Sequence, residues 1–287
     1  MVRMRNTRPH KDFRSLRTKL PPESFAMHPK EPDQVPKDLV DRDVWNEITW
    51  LTDDVSLRTS DQFGTELKAM NELWGSTIEM SQEGGDPWFH VVLDVADNLQ
   101  AALFNALCGY YKVSGWCLRT AVENVVVGTY LQLTLTEKDA QRWQKGDLEV
   151  SFSLACDQLQ GHKTLKRMES YLRTSQGYTL FQQRTSRQKP GWVRRIFSEL
   201  SEFSHARPPY SDAHMWEGSN GPVFIPGSFG RIYSLFMNTA FVLFLMAKLG
   251  RAGLEMPSSA KWIFHSRKVQ VPDFMKECFK YAFGKIP

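Results

Sequence analysis

The sequence predicts an all-α fold: a single helical bundle with a disordered basic N-terminal arm and one long aromatic loop. Three observations predict it. Apolar residues recur at spacings of three and four through most of residues 38–287, the period of a helix with one buried face. Alternating apolar–polar runs are rare. Gly, Pro and short polar cap residues divide the periodic stretches into segments of ordinary helix length.

Residues 1–37 hold six prolines and nine Lys/Arg with few large apolar side chains. Such a composition cannot bury enough surface to offset the entropy of ordering. Arg3, Arg5, Arg8, Lys11, Arg14, Arg17 and Lys19 face a single acid, Asp12, so the first 20 residues carry +6 and the rest of the chain −2. The arm reads either as a handle for nucleic acid or another acidic surface, or as a solubilising tail.

From Asp38 the helical pattern begins. Val44, Ile48, Leu51 and Val55, then Phe63, Leu67, Met70 and Trp74, trace one apolar stripe. The run Glu83–Trp88, "EGGDPW", breaks it, with Asp86 as a candidate cap and Pro87 at the first helical position. Val91 to Tyr110 gives a broad apolar face. A further helix follows, with Ser114 as its candidate cap, and another starts at Thr136, where Asp139 completes an approximate capping box. The remaining helices are predicted near 148–160, 164–174, 191–203, 228–249 and 273–283. The segment 221–227, "GPVFIPG", is the one strand-like piece. The run Ile232–Ala247 is shorter than the ~20 residues a membrane span needs and reads as a buried bundle helix.

The cysteines Cys108, Cys117, Cys156 and Cys278 form no C-x-x-C pair and fall in apolar helical segments. They read as reduced, buried thiols, which fits a cytoplasmic protein. The basic start lacks the apolar run of a secretory leader. Phosphate-binding P-loops, dinucleotide-binding glycine motifs, H-E-x-x-H and G-x-S-x-G are absent.

Three candidate constellations remain. Arg119 and Glu123 lie at i and i+4 on a very apolar helix, where they read as an internal ion pair or as a wall of a polar pocket. Glu199, Glu202 and His205 recur every three residues. His205 reads as a proton-transfer group beside Glu202 or as a cap on the last carbonyls of its helix. The third lies in the loop that follows. Its Tyr210, Met215, Trp216 and Phe224 are too apolar for a free linker, and the loop is expected to fold back over the Arg119/Glu123 face. Among its ligand-type residues no pair has a helical metal-binding spacing, so neither a metal nor a cofactor is expected.

Six residues separate the loop's Arg207 from His214, and this spacing resembles the R-x(4–6)-H motif of the HEPN ribonucleases. That family comprises small helical bundles that often act as toxins or in antiphage defence. A looser likeness covers residues 88–249: Arg119 and Glu123 on one helix, then Leu200, Ser201, Phe203 and His205 at the end of another, resembling uncharacterised bacterial HEPN-like proteins. The resemblance implies a metal-independent site acting on RNA. Arg119, Glu123, His205, Arg207 and His214 would form that site, with Arg207 stabilising phosphate and His214 as acid–base. Tyr210 and Trp216 are expected to contact the substrate. Pro208 and Pro209 bias this stretch to extended backbone. The alternative is a non-catalytic helical interaction module, with the loop binding another protein or a second copy of the chain as a homodimer.

Overall fold

The computed structural model describes residues 42–81, 87–134, 136–185, 188–204, 222–251 and 253–284. The predicted arm at 1–37, the cap at Asp86 and most of the aromatic loop lie outside the described residues. The fold is all-α, with ten helices and no strand among the described residues.

Helix α1 spans Arg42–Ser81 and leaves helical geometry at Phe63, whose ring stacks on Phe229 with centroids 4.5 Å apart. Helices α2 (Pro87–Leu107) and α3 (Tyr111–Thr134) form an antiparallel hairpin. Its turn needs Gly109, which has φ 85° and would place a side chain 3.0 Å from Val55. Ser114 is not a cap. It lies inside α3, and its buried hydroxyl donates across the hairpin to the carbonyl of Ala102 at 2.8 Å. A hydroxyl buried mid-helix needs such a partner.

Helix α4 (Glu137–Gln144) starts as predicted, with Thr136 accepting from the Asp139 N–H at 3.3 Å. Helix α5 (Phe152–Gly161) begins later than expected because Ser151 caps it, accepting from the Leu154 N–H. Helices α6 (Lys163–Gln176) and α7 (Trp192–Glu202) follow. The strand-like piece fails as a strand. Residues 222–225 form an unpaired connection, and Pro226 opens α8 (Pro226–Gly250).

Helix α8 is long and apolar enough to cross a membrane by length and composition, yet 72% of its most apolar stretch is buried inside the fold. Every residue from Thr239 to Ala247 is buried, so this helix has no wet face over two turns. It packs against α1, α2, α3, α7 and the last helix, α10 (Asp273–Phe283). The sequence reading lacks α9 (Ser258–His265). Eight residues are too few to display a period. Its first N–H is served from α1 instead, with Glu79 accepting from the Ser258 N–H at 3.0 Å and also from the Ser259 hydroxyl at 2.6 Å.

One buried carboxylate organises the connection from α6 to α7. Glu169, 5% exposed, accepts from the N–H groups of Leu180 and Phe181 at 2.9 and 2.8 Å. The same stretch then serves α7. The Trp192 N–H donates to Thr179 and the Val193 N–H to Leu180, while Arg194 reaches the Phe181 carbonyl at 2.5 Å. Gly191 lies so close to Leu180 that any side chain there would strike backbone.

Burial pushes the Glu169 carboxyl above its ordinary value of 4.5, against the pull of the two N–H donors and Arg173. Its contribution to stability is therefore full below the unfolded value and declines as pH rises through the folded one. Glu169→Ala leaves two interior N–H groups unpaired, at about 1–3 kcal/mol each. Urea unfolding at neutral pH is expected to show a loss of at least about 2 kcal/mol. The gap from wild type should widen on acidification towards 4.5.

Candidate functional site

The sequence-predicted pair sits where α3 meets α7. On α3, Leu118, Ala121, Val122 and Val125 are buried, and Arg119 and Glu123 flank that stripe. Their side chains are 31% and 33% exposed, and Arg119 Nη1 donates to Glu123 Oε2 at 2.9 Å. The pair is thus engaged as expected but half-buried rather than enclosed, because one edge of the junction opens to solvent.

Helix α7 supplies the other wall. Trp192, Val193, Ile196 and Leu200 face the core, which turns Phe197 and Ser201 towards α3. Arg119 Nε donates to Ser201 Oγ at 3.3 Å, and its guanidinium lies 4.5 Å from the Phe197 ring centroid. Phe197 in turn stacks on Phe152 of α5, with centroids 3.8 Å apart. One cation therefore ties together carboxylate, hydroxyl and ring.

The C-terminal end of α7 is also fixed. Trp116 Nε1 donates to the Phe203 carbonyl at 2.8 Å. The Phe203 ring lies over Gly115, so close that a β-carbon there would stand 2.5 Å from it. Glu199 and Glu202 share a face as predicted, and both turn to α8, each 3.3 Å from Arg231. The Arg231 guanidinium lies 5.1 Å from the Phe203 ring centroid. An open cleft of about 320 Å³ runs along this side, lined by Arg195, Ser198, Glu199, Glu202 and Arg231 with Pro190.

His205, Arg207, Tyr210, His214 and Trp216 lie outside the described residues, as does the expected folding of their loop over the pair. Of the predicted catalytic set, the described structure brings together Arg119 and Glu123. Around them it adds Phe197, Ser201, Trp116 and, on the cleft side, Arg231. Ser201 had a signal in the likeness to a helix ending L-S-x-F-x-H. Phe197 and Trp116 had none, since aromatic residues on an amphipathic helix read as core.

Among the described residues, no three metal-ligating side chains cluster. Burial raises all four thiols above their ordinary value, Cys156 to about 12, so none is poised as a thiolate. What the junction offers chemically is a fixed guanidinium edge and a carboxylate partly open to water. No family model, curated protein or solved structure matches the chain.

The partners of Arg119 predict an asymmetry between the two members of the pair. Glu123→Ala removes a partly exposed i,i+4 contact, with a cost below about 1 kcal/mol. Arg119→Ala also removes the ring contact and the Ser201 bond, each of the order of 0.5–1 kcal/mol. Since 1 kcal/mol shifts Tm by roughly 2–4 °C at this size, calorimetry should show the Arg119 variant melting a few degrees below the Glu123 variant. Equal melting would mean that α7 takes nothing from Arg119.

Proposed function

We propose that this chain is a helical protein that acts on RNA without a metal, as a ribonuclease of the toxin or antiphage kind that the HEPN-like resemblance implies. The α3/α7 junction is its fixed half. One observation carries the reading: the end of α7 is pinned to α3 beside Arg119 and Glu123, and in the sequence His205 lies two residues after Phe203, whose carbonyl Trp116 holds. In this reading Arg119 and Arg207 neutralise phosphate. His205 and His214 accept the 2′-hydroxyl proton and protonate the leaving oxygen. Glu123 orients Arg119, and Tyr210 and Trp216 hold bases. The four free cysteines accord with a reducing, cytoplasmic setting.

The test is incubation of the purified chain with total RNA in EDTA. Cleavage is expected in the wild type, with a loss of 100-fold or more in His205→Ala or His214→Ala, in line with general acid–base contributions of about 10²–10⁴. Unchanged RNA with the wild type, or full activity in both variants, would sink the proposal.

A second reading, a non-catalytic interaction module that pairs with its own copy, is favoured by a different observation. Trp116 and Phe104 remain 43% and 59% exposed near the turn of the α2/α3 hairpin, and large exposed aromatics are common interface anchors. It predicts a dimer in sedimentation velocity that Phe104→Glu converts to monomer. A wild-type monomer rules it out.

A further inference from the structure

Charge is segregated along this chain in a way the net value of +4 conceals. Residues 42–160 hold 18 acids and eight Lys/Arg. Residues 161–195 hold nine Lys/Arg and one acid, Glu169. That acid is buried and turned to backbone N–H groups, so it exposes no carboxylate on this face, and of the face's cations it interacts electrostatically with Arg173.

The fold turns this asymmetry into a surface. On α6, Leu165, Met168, Glu169 and Leu172 face the core, while Lys163, Lys166, Arg167 and Arg173 are exposed. At 3.6 residues per turn those four cations occupy a sector of roughly 120° over about 15 Å of helix. Ser170 and Thr174 share this face, and no carboxylate does. Helix α10 packs beside α6 and adds exposed Lys276 and Lys280, each paired with an acid of its own helix.

Aromatic rings border the cations. Tyr281 of α10 is 39% exposed and packs against Tyr171 of α6, with centroids 5.1 Å apart. Tyr178 follows the left-handed cap at Gly177, is 46% exposed, and has the Arg195 guanidinium 5.5 Å from its ring centroid. Cations interleaved with open rings suit a strand whose phosphates and bases are both accessible. A bilayer would need an apolar wedge beside the cations. The large apolar residues exposed elsewhere, Leu57, Ile78, Phe104 and Trp116, belong to α1–α3.

We propose that this face of α6 and α10 binds single-stranded RNA, with Lys163, Lys166, Arg167 and Arg173 tracking phosphates and Tyr178 and Tyr281 stacking on bases. It extends the RNA reading above to a docking surface and does not depend on cleavage.

The probe is a fluorescein-labelled 16-nucleotide single-stranded RNA of mixed sequence, titrated with the full chain and followed by anisotropy over a salt series. The basic arm is common to all proteins compared, so differences report this face. Each phosphate contact on a single strand adds ~0.7 to the slope of log affinity against log salt. Lys166→Ala with Arg167→Ala is expected to weaken binding roughly tenfold and flatten that slope by about 1.4. Tyr178→Ala is expected to weaken binding at least about fivefold with the slope unchanged, while Tyr178→Phe retains it.

An absence of wild-type binding overturns the proposal. So does a double variant that keeps its affinity and slope. Tyr178→Ala binding like wild type, together with equal competition by phosphatidylserine vesicles, would assign the face to anionic lipid and overturn it too. Cleavage separates the two proposals. Binding without cleavage removes the catalytic reading and leaves this one, whereas cleavage in a double variant of unchanged affinity removes this one alone.

Discussion

Helix α8 can leave no side in water along Thr239–Ala247, and the other helices are arranged around that constraint. A helix apolar all round must be enclosed by neighbours on every side. Here α1, α2, α3, α7 and α10 provide the enclosure, and the buried residues from α1 to α10 join in one contiguous core. The α3/α7 junction exists because both helices must reach α8. Helix α3 buries Ala121, Val122 and Val125, α7 buries Ile196 and Leu200, and both helices pack against α8. Arg119 and Ser201 meet because they flank those two buried stripes.

Apolar burial sets which faces meet but does little to set where a helix begins and ends along its axis. Polar contacts supply that information, because helix ends carry unpaired N–H and C=O groups. Helix α7 is held at both ends. The carbonyls of Thr179 and Leu180 receive its first N–H groups, on a loop that Glu169 holds, and Trp116 takes the carbonyl of Phe203 at its far end. A slide of one residue along α7 would turn Phe197 and Ser201 by 100° and part them from Arg119. The side chain of Glu169, remote in sequence from Arg119, thus bears on the geometry of the pair.

What was legible in the sequence follows the same division. Helix type and buried faces repeat locally, so α1–α3 and α8 can be read from spacing, and the i,i+4 relation of Arg119 to Glu123 is a property of one helix. The partners of that pair are not local. Ser201 lies 82 positions from Arg119, and the Phe203 carbonyl lies 87 from Trp116. No period encodes such contacts. Helix α9 escaped for the same reason, since its start is completed by Glu79, 179 residues away. The reading of 221–227 as strand erred because apolar β-branched residues between prolines favour extended backbone, but a strand requires a neighbour. The Ile225 N–H donates to the hydroxyl of Tyr111 at 3.1 Å, and its carbonyl accepts from the Phe229 N–H of α8 at 3.0 Å.

The distribution of charge differs between the α3/α7 junction and the α6 face. At the α3/α7 junction the cations are compensated: Arg119 faces Glu123, and Arg231 faces Glu199 and Glu202. An anion arriving there must compete with carboxylates already in contact, so the junction attracts anions weakly. On α6 the cations share their face with Ser170 and Thr174 alone, and the one acid of the helix is turned inward. Long-range attraction follows the uncompensated charge and is screened beyond about 10 Å at 0.1 M salt. Close-range positioning follows the fixed hydrogen bonds. The burial of Glu169 serves both ends of this arrangement: it leaves no carboxylate exposed on the α6 face, and it holds the loop that places α7 against Arg119.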